Sequence, residues 1–590
     1  MKQSIFKHFD RWGGQLFLGL LVMGLGIVLG RCWQLQYVEG TQHQVRADRQ
    51  MLKVIPQTAR RGSIVDRQGR YLAMSIRMDS VRADPAIIED LPKTAQKICQ
   101  ILDLPENDLY QKLQDHRDRR FMWIKRYIRP DQAHQIRTLK IRGIVIEREY
   151  KRQYPMGELA AHVLGFTTID GMGLEGIEAS CDEYLTGKIG LWRLNSDALR
   201  RPIGTQKGSE PAQQGNNVVL CLDAMIQSYV EEQLVLTVEK YNAKGAIGIA
   251  MNPHTGEILA LANRPTFDPA TARQSIVEHR RNRALTDPIE PGSTFKPFTV
   301  AAALDGDYVS VHQTFNCENG SYSGRGFGKI GEYSNHSYGN LTVAQIVVNS
   351  SNIGTAKIAQ KMGKSYFHDM VRKFGFGQTT GIDLTGESRG IFKPLDQWDR
   401  AQYDLTRLSF GQGPIMVTPI QLITSFCCLA NGGVKVQPRV VRGILDQQGG
   451  IVEDFLCDSS PAPGAVLKSQ RVVSPRVAQQ IVTEVMTKVV EREGGSAHNA
   501  YLDEYRVFGK TGTAQVARSD GRGYDDNKYV SSFIGGAPAE NPQLCVLVMV
   551  REPDRSLGLG YTGGMIAAPA VREIIRQTLS YLEVPTRLEK

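Results

Sequence analysis

Residues 13–30 read GGQLFLGLLVMGLGIVLG and hold no charged side chain. A helix bonds every backbone N–H and C=O within the segment, so a run of this kind can sit in hydrocarbon. With CWQLQYV behind it, broken only by Arg31, the stretch is long enough to cross a bilayer core of about 30 Å. Trp33 and Tyr37 suit the polar boundary. No small-x-small cleavage site follows. Arg31 stands where a lipoprotein signal before Cys32 needs a small residue. The reading is one uncleaved anchor, 13–37, behind a basic tail, 1–12, with Lys2, Lys7 and Arg11. Arg31, Arg46, Arg49 and Lys53 follow the span and blur its orientation. Large domains cross largely regardless of such charges, so the bulk of the chain is expected outside the membrane.

A chain of 590 residues holds two or more domains and buries large cores. Apolar residues make up 41% and charged residues 22%, ordinary for a folded protein. The net charge of +10 favours an anionic surface or substrate, although solvated Lys and Arg account for it equally well. No zinc-finger spacing, RNA-binding signature or Lys/Arg tract accompanies it, which disfavours nucleic acid. The nine cysteines are scattered, odd in number and without a CxxC pair. They read as small buried apolar residues, not as a disulfide framework. The histidines show no metal-binding spacing, and no metal or organic cofactor is expected.

Behind the anchor, residues 38–216 read as a mixed α/β domain. MLKVIPQTARRGSIVDRQGRYLAMSI carries strand alternation with a turn at 66–69, residues 86–116 have helical periodicity, and Phe121–Ile128 is a strand. Residues 203–216, IGTQKGSEPAQQGN, have linker composition. A second domain is expected over 217–583, with a tail at 584–590. It opens with a strand at Val218–Leu222 and a helix capped by Asp223. Ala246–Met251 and Ile258–Ala262 alternate as a hairpin. Helices follow from about Thr342, Pro419 and Arg476, strands around Val507, Tyr529 and Leu544–Val550, and a last helix to about Leu582. Strands at both ends with helices between predict one α+β domain closed by its termini.

Three groups in this second domain carry chemistry. Ser293 and Lys296 stand three apart in EPGSTFKP, the spacing that puts two side chains on one helical face. A neutral amine beside a hydroxyl can take its proton as it attacks a carbonyl. Lys296 would need its pKa brought from about 10.4 to roughly 7–8, by burial and by a second cation. The spacing alone is unspecific: Ser4 and Lys7 share it. Ser350-Ser351-Asn352 adds a hydroxyl and an amide at a break near Gly354. Lys510-Thr511-Gly512-Thr513 adds a cation and hydroxyls on a strand, where Gly512 lets a substrate backbone approach.

In this order the three match the S-x-x-K, S-D-N and K-T-G set of class A β-lactamases and penicillin-binding proteins, departing only at Ser351. The flanks agree: RRGSIVDRQG (60–69), RQYPMG to AHVLGF (152–166), GLEGIE (173–178), RALTDPIEPGSTFKP (283–297) and LSFGQGPIMVTPIQL (408–422). The chain resembles the class B penicillin-binding proteins, and among them the division-type peptidoglycan transpeptidases of the FtsI kind (penicillin-binding protein 3 type).

That resemblance implies a single-pass protein of the inner membrane. A non-catalytic, dimerisation-type pedestal (38–216) would carry an extracytoplasmic penicillin-binding fold, an antiparallel sheet flanked by helices plus an all-helical subdomain. It implies acylation of Ser293 by stem peptides ending in two D-alanines, with Lys296 as base, Ser350 as proton shuttle and Asn352 holding the substrate amide. Lys510, Thr511 and Thr513 would bind the terminal carboxylate. The N–H groups of Ser293 and Thr513 would form the oxyanion hole. β-Lactams would acylate the same serine. The partners implied are peptidoglycan, a separate glycan polymerase of the FtsW type and other division proteins. An elongation-type relative resembling penicillin-binding protein 2 is the nearest alternative. A carboxypeptidase or β-lactamase is disfavoured by the large pedestal. A silent β-lactam-binding scaffold would have lost one of the three groups, and all three are present; a sensor is expected to carry a cytoplasmic or multi-span signalling module, for which residues 1–12 leave no room.

Overall fold

The computed structural model describes residues 2–43, 52–196, 202–205, 209–399, 401–455, 470–491, 495–517 and 523–587. Arg46, Arg49, Cys457 and residues 206–208 of the expected linker lie outside them. Two compact units result, Met1–Ala59 with Gly187–Gln214, and Arg60–Thr186 with Gly215–Lys590.

The first unit contains the helix Lys2–Trp33, extended by one wider turn over Gln34–Val38. Trp12–Val38 has a mean hydropathy of 2.0 and is long and apolar enough to cross a membrane. The unit also contains a three-stranded antiparallel sheet of Leu52–Gln57, Gly190–Ser196 and Pro202–Thr205. The expected linker is therefore partly sheet. Leu191 and Glu210 exchange both main-chain hydrogen bonds, at 2.8 and 2.9 Å, and Lys188 and Gln213 do the same, at 2.8 and 3.0 Å. Main-chain pairing overrides the turn-rich composition, because it needs no particular side chain.

The second unit is built on two sheets. One is antiparallel, in the order Ile258–Arg264, Gly245–Met251, Leu544–Arg551, Tyr524–Ala537, Phe508–Ala517. Its early hairpin pairs directly with a late strand, as closure by the termini requires. Gly245–Met251 does not alternate: every residue is buried. A strand buried on both faces needs cover on both. The helices Ala224–Lys240 and Pro419–Ala430 supply it, and Gly563–Tyr581 covers the neighbouring strands Leu544–Arg551 and Tyr524–Ala537. All twelve residues of Pro419–Ala430 are buried, and Thr418 and Gln421 close a reciprocal cap at its start. Asp223 caps the first helix through Met225 N at 3.0 Å.

The other sheet runs Ile451–Asp454, Val441–Leu445, Asn217–Leu220, Ile64–Val65, Tyr71–Ala83, Met122–Ile128, with Ile144–Gln153 also on Tyr71–Ala83. Asn217–Leu220 pairs with strands on both sides of residue 216, so the sequence boundary expected there runs through a continuous sheet.

Three of the flanking motifs meet at one buried carboxylate. Glu178 of GLEGIE accepts from Arg61 Nε of RRGS at 2.7 Å and from Arg152 Nε of RQYP at 2.6 Å. Arg61 also donates to the Glu178 carbonyl and to Asp182 Oδ1, and Arg152 to the Gly62 carbonyl. Removing one partner of a buried ion group leaves uncompensated charge and costs roughly 3–5 kcal/mol. Glu178→Gln keeps the shape, strands the Arg152 guanidinium and leaves Arg61 only the Asp182 carboxylate. Thermal unfolding followed by circular dichroism should show its melting temperature several degrees below wild type; an unchanged value would contradict this role.

Candidate active site

Pro291 and Gly292 turn the chain into a short 3-10 segment, Gly292–Phe295, that runs into the helix Lys296–Asp305. Gly292 has φ +54°, a backbone open to glycine at little cost. Its N–H donates to the Gly411 carbonyl at 3.0 Å, and Ile289 and Val417 exchange two main-chain bonds at 2.9 and 2.8 Å. The LSFGQGPIMVTP stretch thus backs the serine turn. Pro297 sits in the first helical turn, where its missing N–H costs little.

Lys296 follows the turn and is fully buried. Its Nζ bonds the Ser350 carbonyl, Asn352 Oδ1 at 2.8 Å and Ser350 Oγ at 3.1 Å. Ser350 lies between the helices Val343–Val348 and Asn352–Met362, at φ +58°. The helical break therefore falls at residues 349–351, earlier than expected. Ser351 Oγ accepts from Gly354 N at 2.9 Å and starts the second helix. A Cβ on Gly354 would lie 2.5 Å from Ile346 Cγ1, so this glycine lets the two helices approach.

Lys510, on the strand Phe508–Ala517, is also fully buried. Its Nζ reaches Ser350 Oγ at 3.1 Å, the Thr511 carbonyl at 3.1 Å and Thr511 Oγ1 at 3.3 Å. Thr513 Oγ1 accepts from Gly563 N at 3.2 Å. A cleft of about 210 Å³ is lined by Ser293, Ser350, Thr511 and Thr513. Among the described residues Ser293 Oγ makes no side-chain hydrogen bond, an arrangement that free enzymes often tighten only with substrate.

Two of the expected groups also meet protein partners. A Cβ on Gly512 would lie 2.4 Å from Ser532 Oγ and 2.8 Å from Thr294 Cγ2. The glycine therefore admits the serine turn. Asn352 bonds the protein through both ends of its amide. Oδ1 holds Lys296, and Nδ2 donates to the Gly331 carbonyl at 3.0 Å.

Burial, with the Lys510 charge adding, holds Lys296 well below the ordinary ammonium range. Burial pushes Lys510 down to about 7. Each nitrogen faces three oxygens: two carbonyl-type oxygens and the Ser350 hydroxyl for Lys296, one carbonyl and two hydroxyls for Lys510. What distinguishes them is that the Lys510 charge acts on Lys296 in addition to burial. The shared Ser350 hydroxyl can accept from a protonated Lys510 and donate to a neutral Lys296.

Sequence reasoning missed Glu332, which is 8% exposed. Its carboxylate accepts from Ser351 Oγ at 2.5 Å, Asn352 N at 2.7 Å and Ile353 N at 3.3 Å. It ties the Ser350–Asn352 turn to the hairpin Ser321–Gly324/Gly328–Gly331. Tyr333, His336 and Tyr338 from the same loop line the cleft. Glu290 also went unnoticed; both its oxygens accept from Tyr524 OH at 2.9 Å. No spacing rule in a single sequence marks either acid. Among the described residues no cluster of His, Cys, Asp and Glu could hold a metal ion.

The family described as penicillin binding protein transpeptidase domain matches residues 246–576, and the penicillin-binding protein dimerisation domain matches 56–220. The chain belongs to the penicillin-binding protein transpeptidases. It is 32% identical over 578 residues to the probable peptidoglycan D,D-transpeptidase PenA of Neisseria meningitidis, covering 97% of this chain and 92% of that one. To the peptidoglycan D,D-transpeptidase FtsI of Escherichia coli K12 it is 30% identical over 588 residues, covering 99% and 94%. The crystal structure of penicillin binding protein 3 from Mycobacterium tuberculosis, complexed with aztreonam, superposes with a TM-score of 0.68 at 29% identity, over 90% of this chain and 98% of that one. The expected FtsI-type resemblance, α+β fold and peptidoglycan transpeptidase class stand.

Glu332 gives this family member a specific test. Displacing a catalytic group by about 1 Å costs on the order of 10²-fold in rate. Glu332→Gln loses the charged acceptor behind Asn352 and should slow acylation by penicillin by about that factor while the melting temperature shifts little. Stopped-flow acylation at the wild-type rate would show that the acid does not position the turn.

Proposed function

We propose that this chain cross-links peptidoglycan stem peptides at the division septum through a serine acyl-enzyme. The observation that carries the reading is one hydroxyl, Ser350 Oγ, bonded by two buried lysines beside the cleft that Ser293 lines. In acylation Ser293 Oγ attacks the carbonyl between the terminal D-alanines, and its proton passes to neutral Lys296. The N–H groups of Ser293 and Thr513 take the developing oxyanion, a contribution of roughly 3–4 kcal/mol per donor. The C–N bond breaks, the leaving amine gains its proton through Ser350, and D-alanine departs. The primary amine of a second stem peptide then attacks the ester, returns the proton to Ser293 Oγ and leaves the new amide.

Lys510, Thr511 and Thr513 are the groups for the donor's terminal carboxylate. Asn352 orients Lys296 and, through it, the substrate. The anchor over 13–37 fits a single-pass membrane protein, with residues 38–216 as a non-catalytic pedestal and 217–583 as the catalytic domain outside the membrane. Three motif groups on one domain supply a single acyl-transfer site. The likeness to FtsI supports a separate glycan polymerase of the FtsW type and other division proteins as its partners.

Fluorescent penicillin should label the full-length protein, and Ser293→Ala should abolish the label while leaving the melting temperature unchanged. Persistent labelling would remove the serine from the reaction. A fluorescent fusion should gather at midcell; side-wall distribution would favour the elongation-type reading.

A further inference from the structure

A second cleft, of about 300 Å³, lies in the unit that carries the catalytic site and shares no lining residue with the catalytic cleft. The strand Ile144–Gln153 and the segments 166–171 and 269–274 form its walls. Tyr127, Tyr150 and Tyr154 are among the lining residues, as are Lys151, Arg152 and Arg273. No Asp or Glu lines it.

The acids nearby are engaged elsewhere. Glu149 and Asp170 hold Arg126 at 2.5 and 2.7 Å, Glu178 holds Arg61 and Arg152, and Asp268 caps Ala270 N at 2.9 Å. Among the described residues Lys151 and Arg273 have no carboxylate partner; Lys151 Nζ stands 5.9 Å over the Tyr127 ring. Arg152, with a side chain 5% exposed, leaves Nη2 without a hydrogen-bond partner. A buried, unpartnered guanidinium nitrogen, two further unpaired cations and tyrosines in one concavity are the features of a ligand site.

We propose that this cleft binds a carboxylate-bearing glycopeptide, the sugar–peptide chemistry of the enzyme's own polymer. The inference rests on the peptidoglycan reading above. Tyrosine rings are rigid, amphipathic surfaces for sugar rings; the Tyr127 and Tyr154 hydroxyls donate to the Ile169 carbonyl and to Glu178, which leaves the Tyr150 hydroxyl to bond sugar oxygens. Lys151 and Arg273 take stem-peptide carboxylates, since Arg152 is already paired with Glu178. A strand held there would stay near the enzyme between successive cross-links, and the two sites together would bind more tightly than either alone.

The experiment uses the full chain in detergent with Ser293 already acylated by penicillin, so that the catalytic cleft is closed. A soluble disaccharide-pentapeptide is titrated and followed by calorimetry. Saturable binding is expected. Lys151→Gln/Arg273→Gln, at exposed positions outside the catalytic machinery, should weaken it at least tenfold while penicillin acylates at the wild-type rate. Neutral chitotetraose should bind at least tenfold more weakly, and inorganic pyrophosphate should not compete. The proposal is overturned by no saturable binding to the acylated wild type, or by equal affinity in the double variant. Equal binding of chitotetraose, or equal competition by pyrophosphate, would overturn it as well. Failure of penicillin to acylate would count against the functional reading alone, and the same titrations on Ser293→Ala would then decide this site.

Discussion

Two lysine side chains, each fully buried, converge on the hydroxyl of Ser350. Their nitrogens lie within about 6 Å of each other, where two positive charges repel by about 3 kcal/mol at an effective dielectric near 20. Burial adds a further cost for each charge. The site therefore does not hold both protons at neutral pH. Burial lowers both, and the Lys510 charge lowers Lys296 further, so Lys510 keeps the charge that a carboxylate needs and Lys296 is left with a lone pair. From that asymmetry follow an activated serine and a binding cation only one hydroxyl apart.

Much of the second unit serves to hold this arrangement still. The serine turn is fixed from behind by Gly411 and Val417, and on its strand side by Gly512, whose absent side chain admits Thr294. The strand carrying Lys510 is third in line from the Gly245–Met251 strand, itself bonded to Leu544–Arg551. Distant parts of the chain thus share one rigid sheet. The Ser350 turn carries a non-glycine residue at positive φ, a strained conformation that its surroundings must enforce. Glu332 supplies that enforcement with three hydrogen bonds to the next three residues.

The three motif groups were legible because their residue types and order are rare in combination, and the FtsI-type resemblance rests on them together with their flanks. The anchor, the Asp223 and Thr418 caps and the strand pair 245–251/258–264 were legible as local patterns. What escaped depends on contacts across long separations. Glu332 and Glu290 are single acids whose partners lie 19–21 and 123 or more residues away. Gly512 and Asn352 were recognised, but their roles depend on what fills the space beside them. The strand Pro202–Thr205 was hidden because its sequence is that of a turn while its backbone pairs with a neighbour.

The deprotonated amine at Lys296 is tested most directly by the pH profile of penicillin acylation, wild type against Lys510→Met. A lysine base acts in its neutral form, so acylation should rise with pH through the depressed pKa of Lys296. Lys510 lowers that pKa by repulsion. Removing its charge should raise the pKa and move the rising limb to higher pH. A limb that stays in place would show that the two lysines are not electrostatically linked; a rate that falls with rising pH across the same range would show that a neutral amine is not the base.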